Sequence, residues 1–159
     1  MPVDYRRLRP IRALVPIRRT RNTALAMAPE HAEVVRRQFA AFEYGGLDRV
    51  AEFWHPEIEW RAVEGAADDV GVMRGHDALR RYYQDWIDMF DQLRAEVEEV
   101  IFESDDRVAV AVRNSGRGRV SGVLTKGRYY VACTVHDGAI VSGREYETRE
   151  QALEAVKWS

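Results

Sequence analysis

The chain has 159 residues, enough for one well-buried core and too few for two comfortable domains. With 46% apolar and 31% charged residues it has the composition of an ordinary globular protein, and its longest apolar runs, such as 108–112, are far too short to cross a bilayer. The formal charge of −2 conceals +6 in residues 1–28, where seven arginines (Arg6, Arg7, Arg9, Arg12, Arg18, Arg19, Arg21) face Asp4 alone; the remainder carries −8 and gives no reason to expect nucleic acid on the folded body.

The single Cys133 excludes an internal disulfide, and with four scattered histidines it argues against a thiolate metal cluster. A reducing, cytoplasmic setting and no membrane partner are expected. Residues 1–28 have no helical or strand period and hold Pro2, Pro10 and Pro16, so they offer too little contiguous apolar surface to offset ordering entropy. They read as a disordered basic extension, with the functional protein expected to begin near Met27.

From Pro29 the periodicities become regular. Pro29 in a first turn, then Ala32, Val35, Phe39 and Phe42, predict a helix that Gly45-Gly46 stops. Leu47, Val50, Ala51 and Trp54 predict a short second helix ending at His55-Pro56. Ile58, Trp60 and Ala62 then alternate with charged residues, as in a strand with one buried face.

A glycine-rich loop over 64–72 leads to a third helix, 77–90, with an aromatic face of Tyr82, Tyr83, Trp86 and Phe90. Residues 93–103 change parity between Val97 and Val100, which a bulge near Glu98-Glu99 reconciles. Strands follow at 107–113, 123–136 and 139–147. Asp137-Gly138 marks a tight hairpin, and Thr148 with Gln151 forms a capping box for a last short helix. Hairpin-joined strands with segregated helices are α+β.

The segments Glu43-Tyr44-Gly45-Gly46-Leu47-Asp48, His55-Pro56, Arg74-Gly75-His76-Asp77-Ala78-Leu79, Arg117-Gly118-Arg119-Val120-Ser121-Gly122 and His136-Asp137-Gly138-Ala139-Ile140-Val141, in this order, resemble the SnoaL-like branch of the nuclear transport factor 2-like superfamily. The resemblance spans 29–157 and places one domain at 29–159. It implies a cone-shaped α+β fold, a curved antiparallel sheet wrapped around N-terminal helices with a central pocket, and a homodimer. It also implies a small apolar organic ligand and no cofactor. Relatives of this kind include polyketide cyclases, ketosteroid isomerases, epoxide hydrolases and proteins without an assigned reaction.

The catalytic residues of those enzymes do not carry over. The base aspartate of ketosteroid isomerases falls near Ala62, and their protonated aspartate falls among Tyr130, Val131 and Ala132. Strands 107–113 and 123–136 supply no internal acid for the Asp-Arg-Asp set of limonene-type epoxide hydrolases.

Pocket-lining candidates are Trp60, Tyr82, Trp86, Phe90, Tyr129 and Tyr146, with Arg113 and Arg144 as donors to a substrate oxygen. Arg144 shares parity with Ile140, Ser142 and Tyr146, whereas Glu145 has the opposite parity. Glu145 is therefore expected at the surface; inside, it would be the best candidate base, because burial raises a carboxyl's pKa toward neutrality. His55, before Pro56, and His76, in the first turn of the third helix, are the remaining acid–base candidates. Two functions follow: a cofactor-independent isomerase, cyclase or dehydratase working by proton transfer on a small apolar metabolite, or a non-catalytic ligand-binding or dimeric interaction module.

Overall fold

The structure, a computed structural model, describes residues 30–158; the extension expected over 1–28 lies outside the described residues. Helix α1 (Glu30–Tyr44) is followed by α2 (Gly46–Ala51), strands β1 (Trp54–Arg61) and β2 (Met73–Arg74), and helix α3 (Gly75–Met89). Strands β3 (Phe90–Glu103), β4 (Arg107–Gly118), β5 (Leu124–His136) and β6 (Ala139–Tyr146) precede the last helix, α4 (Arg149–Trp158).

The six strands form one sheet in the order β2-β1-β6-β5-β4-β3. Every neighbouring pair is antiparallel except β1 and β6, which run parallel, a pairing that the hairpin pattern in the sequence does not announce. Helices α1 and α3 lie across the inner face. There Val35, Phe39 and Leu79 meet Ile58, Trp60, Val108, Val110, Val112, Val131 and Ile140, all at 1% exposure or less. Helix α4 packs on β4 and β5 and buries Ala152 and Val156 outside this core.

Local chemistry accounts for the turning points. Glu103 on β3 accepts a hydrogen bond from the Ala32 N–H at 3.0 Å and so satisfies a free donor in the first turn of α1. Asp137 and Gly138 both adopt positive φ, 50° and 76°, as the tight hairpin requires. Thr148 and Gln151 exchange side-chain and backbone hydrogen bonds, each of 3.2 Å, in the expected capping box. The register of β3 against β4 shifts between Val97 and Glu99, and both Val97 and Val100 pack on the core.

Three boundaries differ from the sequence reading. Trp54 opens β1 rather than closing α2, and Pro56 lies within the strand, where the register with β6 shifts between Trp54 and Glu59 and a missing N–H is tolerated. Phe90 is extended (φ −127°, ψ 136°), so it ends α3 and begins β3. Strand β4 continues past Arg113 to Gly118, paired on both sides. Among the described residues, no helix is long and apolar enough to cross a membrane.

Candidate active site

Between α3 and the inner face of the sheet lies a cavity of about 270 Å³. Tyr82, Tyr83 and Trp86 of α3 form one wall, and Leu93, Ala95 and Tyr129 of the strands form the other. Glu145 of β6 and Asp68 of the loop before β2 bring two carboxyl groups into it. Asn114, Gly127 and Arg128 line the end that faces solvent, where Gly127 and Arg128 are exposed.

Glu145 is 8% exposed. Its Oε2 accepts a hydrogen bond of 2.8 Å from the Trp60 indole N–H, and the Tyr82 hydroxyl lies 3.4–3.5 Å from its two oxygens. Burial pushes its carboxyl up to about 7, and the Asp68 carboxyl adds to the rise; the bonds from Trp60 and Tyr82 oppose it without cancelling it. The same hydroxyl lies closer to Asp68, 2.8 Å from its Oδ2, than to Glu145. The phenol thus bridges the two carboxyl groups, Glu145 on one side and Asp68 on the other.

Asp68 is aimed by its neighbour. The Asp69 carboxylate accepts hydrogen bonds from the N–H groups of Gly65 (2.9 Å) and Gly71 (3.0 Å) and from the Arg61 guanidinium (3.2 Å). These bonds, led by that from Gly65, hold it down to about 2 and knot the loop. Asp68 is thereby turned to α3, where its Oδ2 also accepts from the Trp86 indole N–H at 3.2 Å. Tyr82 and Trp86 stand one helical turn apart, so both donors reach the same oxygen. Among the described residues, no three His, Cys, Asp or Glu side chains are grouped as metal ligands.

Of the residues singled out in the sequence, Tyr82, Trp86 and Tyr129 line the cavity, and Trp60, fully buried, anchors Glu145. Arg144 and Tyr146 do not join them. Thr134 pairs with Ser142 while Val135 pairs with Ile140, so Val141 is an extra residue in β6. That bulge reverses the parity counted from Ile140 and turns Gly143 and Glu145 inward. Arg144 faces the other side, bonded to Glu64 at 2.8 Å and stacked over Tyr146 at 5.4 Å.

Arg113, next to the inward Val112, is exposed on the outer face and paired with Glu96. Phe90 lies behind the wall, stacked on Trp86 with ring centroids 5.3 Å apart. His55 is bonded within its own strand, accepting the Glu57 N–H at Nδ1 (3.0 Å). His76 sets its Nε2 at 3.1 Å from the His55 carbonyl and 3.3 Å from that of Trp54, a structural role. Asp68, Tyr83, Asn114 and Arg128 were not singled out for the pocket. For Asp68 the signal was the Asp68-Asp69 pair among glycines, where the second acid forms the turn and frees the first.

Comparison with known proteins agrees with this architecture. Bal32a from a soil-derived mobile gene cassette superposes with a TM-score of 0.66 at 23% identity, over 80% of this chain and 96% of that one. TerC, co-crystallised with polyporic acid, gives 0.64 at 19% identity over 79% and 97%. RV0760c from Mycobacterium tuberculosis, in complex with estradiol-17beta-hemisuccinate, gives 0.64 at 14% identity over 75% and 94%. No protein of curated function matches the sequence. Residues 35–143 match the SnoaL-like domain, and with helices α1–α3 folded over the inner face of the sheet the chain belongs to that family.

Proposed function

We propose that the protein catalyses proton transfer on a small, largely apolar metabolite, with Glu145 as the acid–base group. The observation that carries this reading is a buried carboxyl, pushed up to about 7, inside an aromatic-walled cavity. A group poised near neutrality exists in both protonation states at working pH, which proton shuttling requires. As carboxylate, Glu145 takes a proton from a carbon beside a carbonyl; as acid, it returns that proton to another carbon of the same molecule.

The enolate formed in between needs a donor. The Tyr83 hydroxyl is buried without a hydrogen-bond partner among the described residues, and its side chain lines the cavity. Burial, reinforced by Glu145, raises its pKa well above the ordinary value, so it keeps its proton and donates to a developing oxyanion. TerC and RV0760c, each crystallised with a ring-containing ligand, support the use of this fold for such molecules.

The test is conversion of the β,γ-unsaturated ketone cyclohex-3-enone to its conjugated isomer. The native protein accelerates it, with a rate that climbs with pH and levels off above about 7 as Glu145 ionises. Glu145→Gln, which keeps an acceptor for Trp60, lowers the rate by about 100-fold or more. Equal rates for the two proteins would leave only a ligand-binding role.

A further inference from the structure

We propose that Asn114 is a specificity-determining residue whose carboxamide hydrogen-bonds a neutral oxygen at the far end of the ligand, so that the site takes an elongated molecule with an apolar middle. This rests on the reading of the cavity as the reaction site. Asn114 follows Val108, Val110 and Val112 on the inward parity of β4 and lines the cavity while half-buried. Among the described residues, nothing hydrogen-bonds its side chain. A carboxamide offers two donors and an acceptor with two lone pairs, so this side chain is free to pair with either a hydroxyl or a carbonyl of a ligand.

The opposite strand is shaped around this side chain. Gly127 of β5 pairs with Asn114, and a Cβ at Gly127 would stand 2.8 Å from Asn114 Oδ1. The bare backbone of Gly127 lets the amide lie across β5, and a Cβ there would push it aside.

Register sets the length. Glu145 pairs with Val131 of β5, four residues along the strand from Gly127, about 13 Å at the usual rise. The Tyr129 ring stands between, and with Leu93 and Ala95 it makes the wall joining the two polar groups largely apolar.

Charge sets the class. Arg128, the cation at this end, is held by both oxygens of Glu98, at 2.7 and 2.9 Å, and the far end carries two carboxyl groups. The site therefore suits a hydroxyl or carbonyl rather than a carboxylate.

Equilibrium dialysis with 4-phenylphenol and biphenyl tests this without turnover. The native protein binds the phenol about tenfold more tightly, the effect of one added hydrogen bond. Asn114→Leu brings the two affinities together with biphenyl binding retained, and Gly127→Ala, which crowds the amide without removing it, reduces the preference as well. Glu145→Gln keeps the preference. An unchanged ratio in Asn114→Leu and Gly127→Ala, a preference lost in Glu145→Gln instead, or failure of the native protein to bind either compound would overturn the proposal. Absence of cyclohex-3-enone turnover by the native protein, with the affinity ratio intact, would overturn the proton-transfer reading and leave Asn114 in its role.

Discussion

Trp60 and Gly143 are register partners in the parallel β1–β6 pair, and the indole of Trp60 lies on the bare backbone of Gly143, where a Cβ would enter the ring. This contact fixes the indole N–H that Glu145, two residues along β6, accepts at 2.8 Å. The glycine thus acts through packing on the polar group at the bottom of the cavity.

Gly143→Ala is expected to destabilise the protein by about 1–3 kcal/mol, the usual cost of overpacking a filled core. A lowered urea midpoint with an unchanged slope checks it. A change below about 0.5 kcal/mol, the range of neutral surface substitutions, would show that the ring is free to move.

Glu145 links stability to pH. Its folded pKa of about 7 lies above the ordinary 4.5, so the folded state holds a proton that the unfolded chain has released between these values. Its contribution is fully present below about 4.5 and is lost as pH rises through about 7, with a slope of up to about 1.4 kcal/mol per pH unit. Denaturation curves between pH 5 and 8 should show this decline in the native protein and a flatter profile in Glu145→Gln. Parallel profiles would place the Glu145 carboxyl in water.

Asp68 and Tyr82 act on Glu145 in opposite senses. The Asp68 charge raises the Glu145 pKa and the Tyr82 hydrogen bond lowers it. Asp68→Asn should therefore shift the midpoint of the pH–rate profile below that of the native protein, and Tyr82→Phe should shift it above. Burial is the largest cause of the rise, so the Asp68→Asn midpoint stays above 4.5.

The loop before β2 depends on Asp69. Asp69→Ala removes the acceptor shared by the Gly65 and Gly71 amides and Arg61. Hydrogen exchange at those two amides should accelerate by about tenfold, while exchange in β4 and β5 is unchanged. Acceleration throughout the sheet would mean that the loop is part of the global folding unit.

Much of this architecture is legible in the sequence because its signals are local. Asp137-Gly138 specifies its turn, Thr148 and Gln151 their cap, and the parity change between Val97 and Val100 a bulge. The facing of β6 is not legible in the same way. Both parities of its stretch from Ile140 to Tyr146 hold apolar and polar residues, so the extra residue at Val141 leaves no mark in the pattern, yet it decides whether Arg144 or Glu145 points inward. The parallel neighbour β1 brings in Trp60, from 85 residues away, as the partner of Glu145. A contact at that separation has no local signature. Asn114 and Gly127 are legible only as a pair across β4 and β5, since the sequence reading ends one strand just before Asn114 and holds Gly127 as an ordinary position within the next.

The most direct test of a proton-transfer centre is the titration of Glu145 itself, followed by carbon NMR of protein labelled at the glutamate side-chain carboxyls. One resonance, absent from Glu145→Gln, should titrate with a midpoint near 7. A midpoint near the ordinary 4.5 would contradict the assignment of Glu145 as the acid–base group.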